Sequence, residues 1–148
     1  MESFPSYIFP GRDESMQYVW VGIGGALGSV LRFFMQGWVQ TAYAGFFPIG
    51  TLAVNLLGSA LVGFLGGLFE IVPGSTHLRN FLMVGILGGF TTFSAYSLGN
   101  LTMLREGQGR AALVYVLASN VLGIGLAFGG FFLARLLIRA FQLSSSSG

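Results

Sequence analysis

Apolar residues fill this chain in four long blocks, with short polar interruptions between them. The blocks predict four membrane spans, roughly Met16 to Met35, Pro48 to Phe69, Asn80 to Leu104 and Ala111 to Leu137. Each is close to the roughly 20 apolar residues that cross a bilayer as a helix. The interruptions carry the residues that stop helices: Gly37, Gly45, Pro48 and Gly50 after span one, Pro73-Gly74-Ser75 after span two, and Glu106-Gly107-Gln108-Gly109 after span three. Pro48 is compatible with the first turn of span two. Residues 1–15 read as a polar lead-in without the basic-then-apolar form of a signal peptide. Residues 16–140 read as one transmembrane domain, and the Ser-rich residues 141–148 as a flexible tail.

Span three contains a flaw. Gly88-Gly89-Phe90-Thr91-Thr92-Phe93-Ser94-Ala95-Tyr96-Ser97 sets paired glycines and paired threonines inside an apolar run, which predicts a broken helix. Irregular backbone at membrane depth is tolerated only where it is buried in protein or lines a cavity. Such breaks recur at ion sites, because freed carbonyls coordinate cations. Phe93 and Tyr96 follow on one helical face.

Composition narrows the function. Of 148 residues, 53% are hydrophobic and 8% charged, with a mean hydropathy of +0.76. Soluble domains carry about 25% charged residues. There is no cysteine, so disulfides, thiol catalysis and Cys-zinc sites are excluded. The seven basic residues are all Arg and are scattered, which does not describe a nucleic-acid surface. The spans hold no Asp, Glu, Lys or His. A proton-coupled transporter usually titrates an intramembrane carboxylate or His, and an intramembrane hydrolase needs an acid–base pair or a ligand cluster. The pattern therefore points to passive movement rather than to an enzyme.

With four spans, Arg12, Arg79, Arg135 and Arg139 fall on one side and Arg32, Arg105 and Arg110 on the other. Arginine bias sets orientation. Four against three leaves two readings open, insertion both ways round with an antiparallel homodimer, or one orientation for every chain.

Neutral hydrogen-bonding residues mark the inner faces. Thr51, Asn55 and Ser59 recur every four residues in span two, on a face that continues as Gly63 and Gly67. Tyr115 and Ser119 are four apart in span four, with Asn120 adjacent. An amide in hydrocarbon needs partners, so Asn55 is either interhelical glue or part of a water path. Arg32 either snorkels to the headgroups or holds a pore vestibule, where a cation concentrates anions. Gly24/Gly28, Gly63/Gly67 and Gly125/Gly129 have the spacing of close helix contacts. Hydroxyl and amide donors with electropositive ring edges suit a small anion; they suit a polar solute as well.

Three blocks, Gly24-Gly25-Ala26-Leu27-Gly28-Ser29-Val30-Leu31-Arg32-Phe33, Gly50-Thr51-Leu52-Ala53-Val54-Asn55 and Gly88-Gly89-Phe90-Thr91-Thr92-Phe93-Ser94, resemble the Fluc (CrcB) family of fluoride channels. The likeness holds in order and spacing, over roughly Val19 to Arg139. It implies an all-α membrane protein with four transmembrane helices and the third broken mid-membrane, paired as an antiparallel dual-topology homodimer in the cell inner (plasma) membrane. It implies fluoride export through two narrow pores, and a structural sodium ion held by the Gly88 and Thr91 backbone oxygens of both subunits. Carried over residue by residue, Asn55 is the pore amide and Phe93 and Tyr96 occupy the family's phenylalanine box. Tyr115 and Ser119 match its polar track, with Thr51 a further candidate. Arg32 matches the arginine at the end of span one. Three positions depart from the family pattern. Tyr96 stands where Phe is usual, Gly99 where a Glu is common, and Gly123 where the track has a third hydroxyl. The competing readings are a small dual-topology drug exporter, which would need an embedded Glu, and a non-transporting assembly subunit.

Overall fold

A chain surrounded by lipid must satisfy its backbone groups internally, and helices do so within one segment. The computed structural model describes residues 14–43, 45–72 and 74–146. Span one is helix α1 (Glu14–Tyr43) and span two is α2 (Ile49–Ile71). Span three is composite: α3 (Thr76–Arg79) runs into a π-helical stretch (Asn80–Leu87) and then α4 (Gly88–Phe90). After Thr91 and Thr92 it resumes as α5 (Phe93–Arg105). Span four is α6 (Gly109–Leu117), a π-helical turn (Ala118–Leu122) and α7 (Gly123–Ser146). Four stretches, Met16–Tyr43, Ile49–Ile71, Thr76–Arg105 and Gly109–Gln142, are long and apolar enough to cross a membrane. The molecule is an all-helical, multi-pass membrane protein whose third span is bent at its break.

Span one is longer than its apolar block predicts. Gly37 does not stop it, and the helix runs on to Tyr43. The turn that follows is built by Gln40 instead. Its Nε2 donates to the Gly45 and Phe47 carbonyls at 2.9 and 3.2 Å, and its Oε1 accepts from the Gly50 N–H at 3.2 Å. Arg32 therefore lies well inside α1 rather than at its far end. It drops out of the arginine tally, which becomes Arg12, Arg79, Arg135 and Arg139 against Arg105 and Arg110. Span three starts early because Ser75 caps it, accepting from the Leu78 N–H at 3.2 Å. The last helix continues to Ser146, past the expected boundary at 140. Residues 1–13 of the polar lead-in lie outside the described residues.

Packing follows the small residues. α1 lies against the first half of span three, and α2 lies along α7. A Cβ on Gly28 would run into the Ile86 carbonyl and the Phe90 N–H, and one on Gly63 into the Ala127 backbone. These close approaches admit only glycine. Gly125 and Gly129 differ from expectation, since nothing within 4 Å meets a Cβ there, and Gly130 makes the contact with α2 instead. Leu52, Met103, Ala112 and Tyr115 form the buried apolar cluster, between α2, α5 and α6. Glu70, near the end of α2, and Arg135, midway along α7, approach to 3.8 Å while both stay partly exposed.

Candidate ion site at the break in span three

The break can be followed bond by bond. In a continuous helix the Thr92 N–H would close on the Gly88 carbonyl. Here it donates to Asn55 Oδ1 at 2.8 Å, and Asn55 Nδ2 donates back to the Thr92 carbonyl at 3.0 Å. One side-chain amide thus bridges both backbone groups of Thr92 and takes the place of the Gly88 carbonyl for its N–H. The Gly89 carbonyl, which would have received the Phe93 N–H, receives Arg32 Nε at 3.0 Å and the Ser29 hydroxyl at 3.5 Å. Leu87 accepts from both the Thr91 N–H (3.0 Å) and the Thr91 hydroxyl (2.9 Å). Thr92 then caps α5 through its own hydroxyl, which accepts from the Ala95 N–H at 3.2 Å. A positive guanidinium at the C-terminal end of α4 complements the helix dipole there.

A groove of about 360 Å³ opens beside the break, lined by Asn55, Ser59, Thr92, Phe93, Tyr96 and Ser119 among others. The structure thus brings five of the predicted site residues, Asn55, Thr91, Phe93, Tyr96 and Ser119, to one cavity. The aromatic rings form a series. Phe93 and Tyr96 have centroids 5.4 Å apart, Tyr96 and Tyr115 are 5.3 Å apart, and Phe47 meets Tyr115 edge-on at 5.3 Å. Phe93 is 79% exposed, so its ring is offered outward from the chain.

The Tyr115 and Ser119 hydroxyls are buried and make no well-formed hydrogen bond. Buried polar groups are normally paired; of the two, Ser119 lines the groove, so its hydroxyl is open to a ligand there. Tyr115 extends toward Thr51, which lies outside the groove. Thr51 lines a second cavity of about 270 Å³ with Gln36 and Gly99, and its hydroxyl accepts from Gln36 Nε2 at 2.9 Å. Arg32 stands apart from both cavities, on the Gly89 carbonyl.

Sequence reasoning passed over Gln36, Thr92 and the pairing of Asn120. Gln36 was hidden by ending span one at Met35. The signal for Thr92 was present, since a threonine next to a helix break is a natural cap. Asn120 was noticed only as a neighbour of Ser119.

The residues at the break fit a hard monovalent cation. Thr92 no longer uses the Gly88 carbonyl, Gly88 is exposed, and Thr91 is extended (φ −81, ψ 157). A Cβ on Gly88 would meet nothing closer than the Met83 carbonyl at 4.0 Å, so the chain leaves open space on the Cα side of this glycine. Neutral backbone oxygens are the donors such an ion takes at broken helices.

Fold and site together define a small multi-pass helical protein with a polar centre built from uncharged donors at a broken helix. Its sequence matches the family described as CrcB-like protein, Camphor Resistance (CrcB), over residues 19–131, and the chain belongs to that family. Proteins named fluoride-specific ion channel FluC are similar to it. The one from Parabacteroides distasonis is 44% identical over 116 residues, covering 78% of this chain and 91% of the relative. That of Aquifex aeolicus is 44% identical over 116 residues, covering 78% and 94%. That of Rhizobium meliloti is 44% identical over 119 residues, covering 80% and 95%.

Proposed function

We propose that this chain forms a passive fluoride channel that lets the anion leave the cytoplasm. The groove at the break carries this reading, because uncharged donors and ring edges converge there. Asn55 is locked onto Thr92, so its amide is pre-set rather than free to reorganise. The N-terminal end of α5 adds a positive dipole end on the groove side. Phe93 and Tyr96 offer electropositive ring edges, and Ser119 offers an unused hydroxyl. Such fixed donors substitute for the water shell of a small anion and reward a larger one less. Hydrogen fluoride crosses membranes as a neutral molecule and ionises inside. The trapped anion then runs out down its gradient, with about 2.3 kcal/mol per 100 mV from a negative interior.

The channel is a homodimer in this reading. Phe93, at 79% exposure, and the exposed Gly88 are supplied for a second copy rather than for their own chain. The copies run antiparallel, as the family resemblance implies; the arginines, four against two, differ by only two between the ends. Two pores result, one beside each break. The Gly88 and Thr91 carbonyls of both copies would hold sodium, whose charge ties the four oxygens together as structure and not as a coupled substrate.

Purified protein in liposomes tests the reading. Fluoride efflux is expected, chloride efflux is not, and a proton gradient leaves the fluoride rate unchanged. Proton-dependent flux would instead favour an exporter, and no flux a purely structural subunit. Phe93→Ile is expected to lower fluoride throughput about tenfold or more, the worth of an aromatic edge at roughly 1.4 kcal/mol, with the dimer retained on size-exclusion chromatography. Normal throughput would remove Phe93 from the path.

A further inference from the structure

The hydroxyl of Tyr96 has a particular neighbour. Asn120 Nδ2 donates to the Val116 carbonyl at 2.8 Å, one turn back in span four. A carbonyl only accepts, so this contact fixes which end of the amide is nitrogen. The same nitrogen also donates to Tyr96 Oη across a longer contact of 3.4 Å. The phenol oxygen is therefore an acceptor toward Asn120, and its own proton is left to donate elsewhere.

Where it can donate is set by the cavity. Tyr96, Ser119 and Asn120 all line the groove at the break. Ser119 and Asn120 are consecutive, and both sit in the π-helical turn Ala118–Leu122. Such turns recur at functional sites. At this turn Asn120 meets Tyr96 while Ser119 lies on the groove.

We infer that Tyr96 and Asn120 form a clasp between α5 and span four that presents the phenol O–H to the permeating anion, making Tyr96 a specificity-determining residue. The inference rests on the fluoride-channel reading and adds a ligand to it. A phenylalanine here would offer a ring edge only, a diffuse and weak positive region. A phenol offers a directed O–H, and hydrogen bonds from O–H to an anion are short and strong. Asn120 is the positioning residue. By donating to the phenol oxygen it turns the hydroxyl proton away from span four and polarises the O–H bond, as chained hydrogen bonds do. Fluoride, the smallest halide and the strongest acceptor among them, gains most from such a donor, and chloride gains less.

The test is fluoride conductance against fluoride concentration in reconstituted bilayers, for the wild type, Tyr96→Phe, Asn120→Leu and the double variant. Tyr96→Phe removes one oxygen from a half-buried ring and leaves the aromatic packing intact. It is expected to raise the half-saturating fluoride concentration about tenfold, the low end for a hydrogen bond to a charged group, and to narrow the preference for fluoride over chloride. Asn120→Leu is expected to move both in the same direction by less. In the Tyr96→Phe background it is expected to change neither, because the positioned group is already gone. Wild-type saturation in Tyr96→Phe overturns the clasp while leaving the channel reading in place. So does an Asn120→Leu effect that persists undiminished without the phenol hydroxyl. A wild-type protein that carries no fluoride overturns the channel reading, and the clasp with it.

Discussion

Asn55→Asp is expected to reduce fluoride flux by about a hundredfold or more, since two like charges about 4 Å apart repel by roughly 4 kcal/mol at an effective dielectric constant of 20. The substitution also attacks the break itself. Asn55 now donates to the Thr92 carbonyl and accepts from the Thr92 N–H. A carboxylate keeps the second bond and turns the first into oxygen against oxygen. The anion path acquires a fixed negative charge, and the extended residues lose the amide that held them. Flux from proteoliposomes at neutral pH, together with the oligomeric state in detergent, checks this. Unchanged flux would remove Asn55 from the ion path.

The second large effect is expected at Arg32. Arg32→Leu leaves the Gly89 carbonyl with only the long contact from Ser29. A carbonyl abandoned at membrane depth costs about 1–3 kcal/mol. The C-terminal end of α4 loses its compensating charge as well. Denaturation in detergent should therefore show a loss of about 2 kcal/mol, on the same scale. Flux should fall with it, because Gly88 and Thr91 flank the loosened carbonyl. Wild-type stability would mean that Ser29 or water satisfies Gly89 unaided.

Much of this architecture was legible in the order of residues. Apolar length announced four spans, and Gly-Gly followed by Thr-Thr announced the interruption, because both features act locally. Asn55 stood out through the cost of an unpaired amide in hydrocarbon. Its partner did not, since Thr92 lies in another span, at the break between α4 and α5, and nothing local encodes that pairing. The length of α1 was misjudged for a similar reason. Gln40 makes its turn by reaching forward to Gly45, Phe47 and Gly50, and side-chain bridges of that kind have no periodicity. Gly125 and Gly129 carry the spacing of a helix contact but not the contact itself. Spacing identifies a face that permits close approach, and only the neighbouring helix decides whether it is used. The π-helical segments have no compositional signature, and the contact of Asn120 with Tyr96 joins two spans that nothing local pairs.

The wide turn at Ala118–Leu122 also bears on how this lineage can change in length. Its i→i+5 rings hold one residue more than ordinary helical rings. Deleting a residue there relaxes it to plain helix and leaves Gly130 seated against Ala60. The same deletion within α7 would swing every later side chain around the axis and unseat it. Loss of a single residue from span four should therefore be tolerated at this turn and purged between it and Gly130.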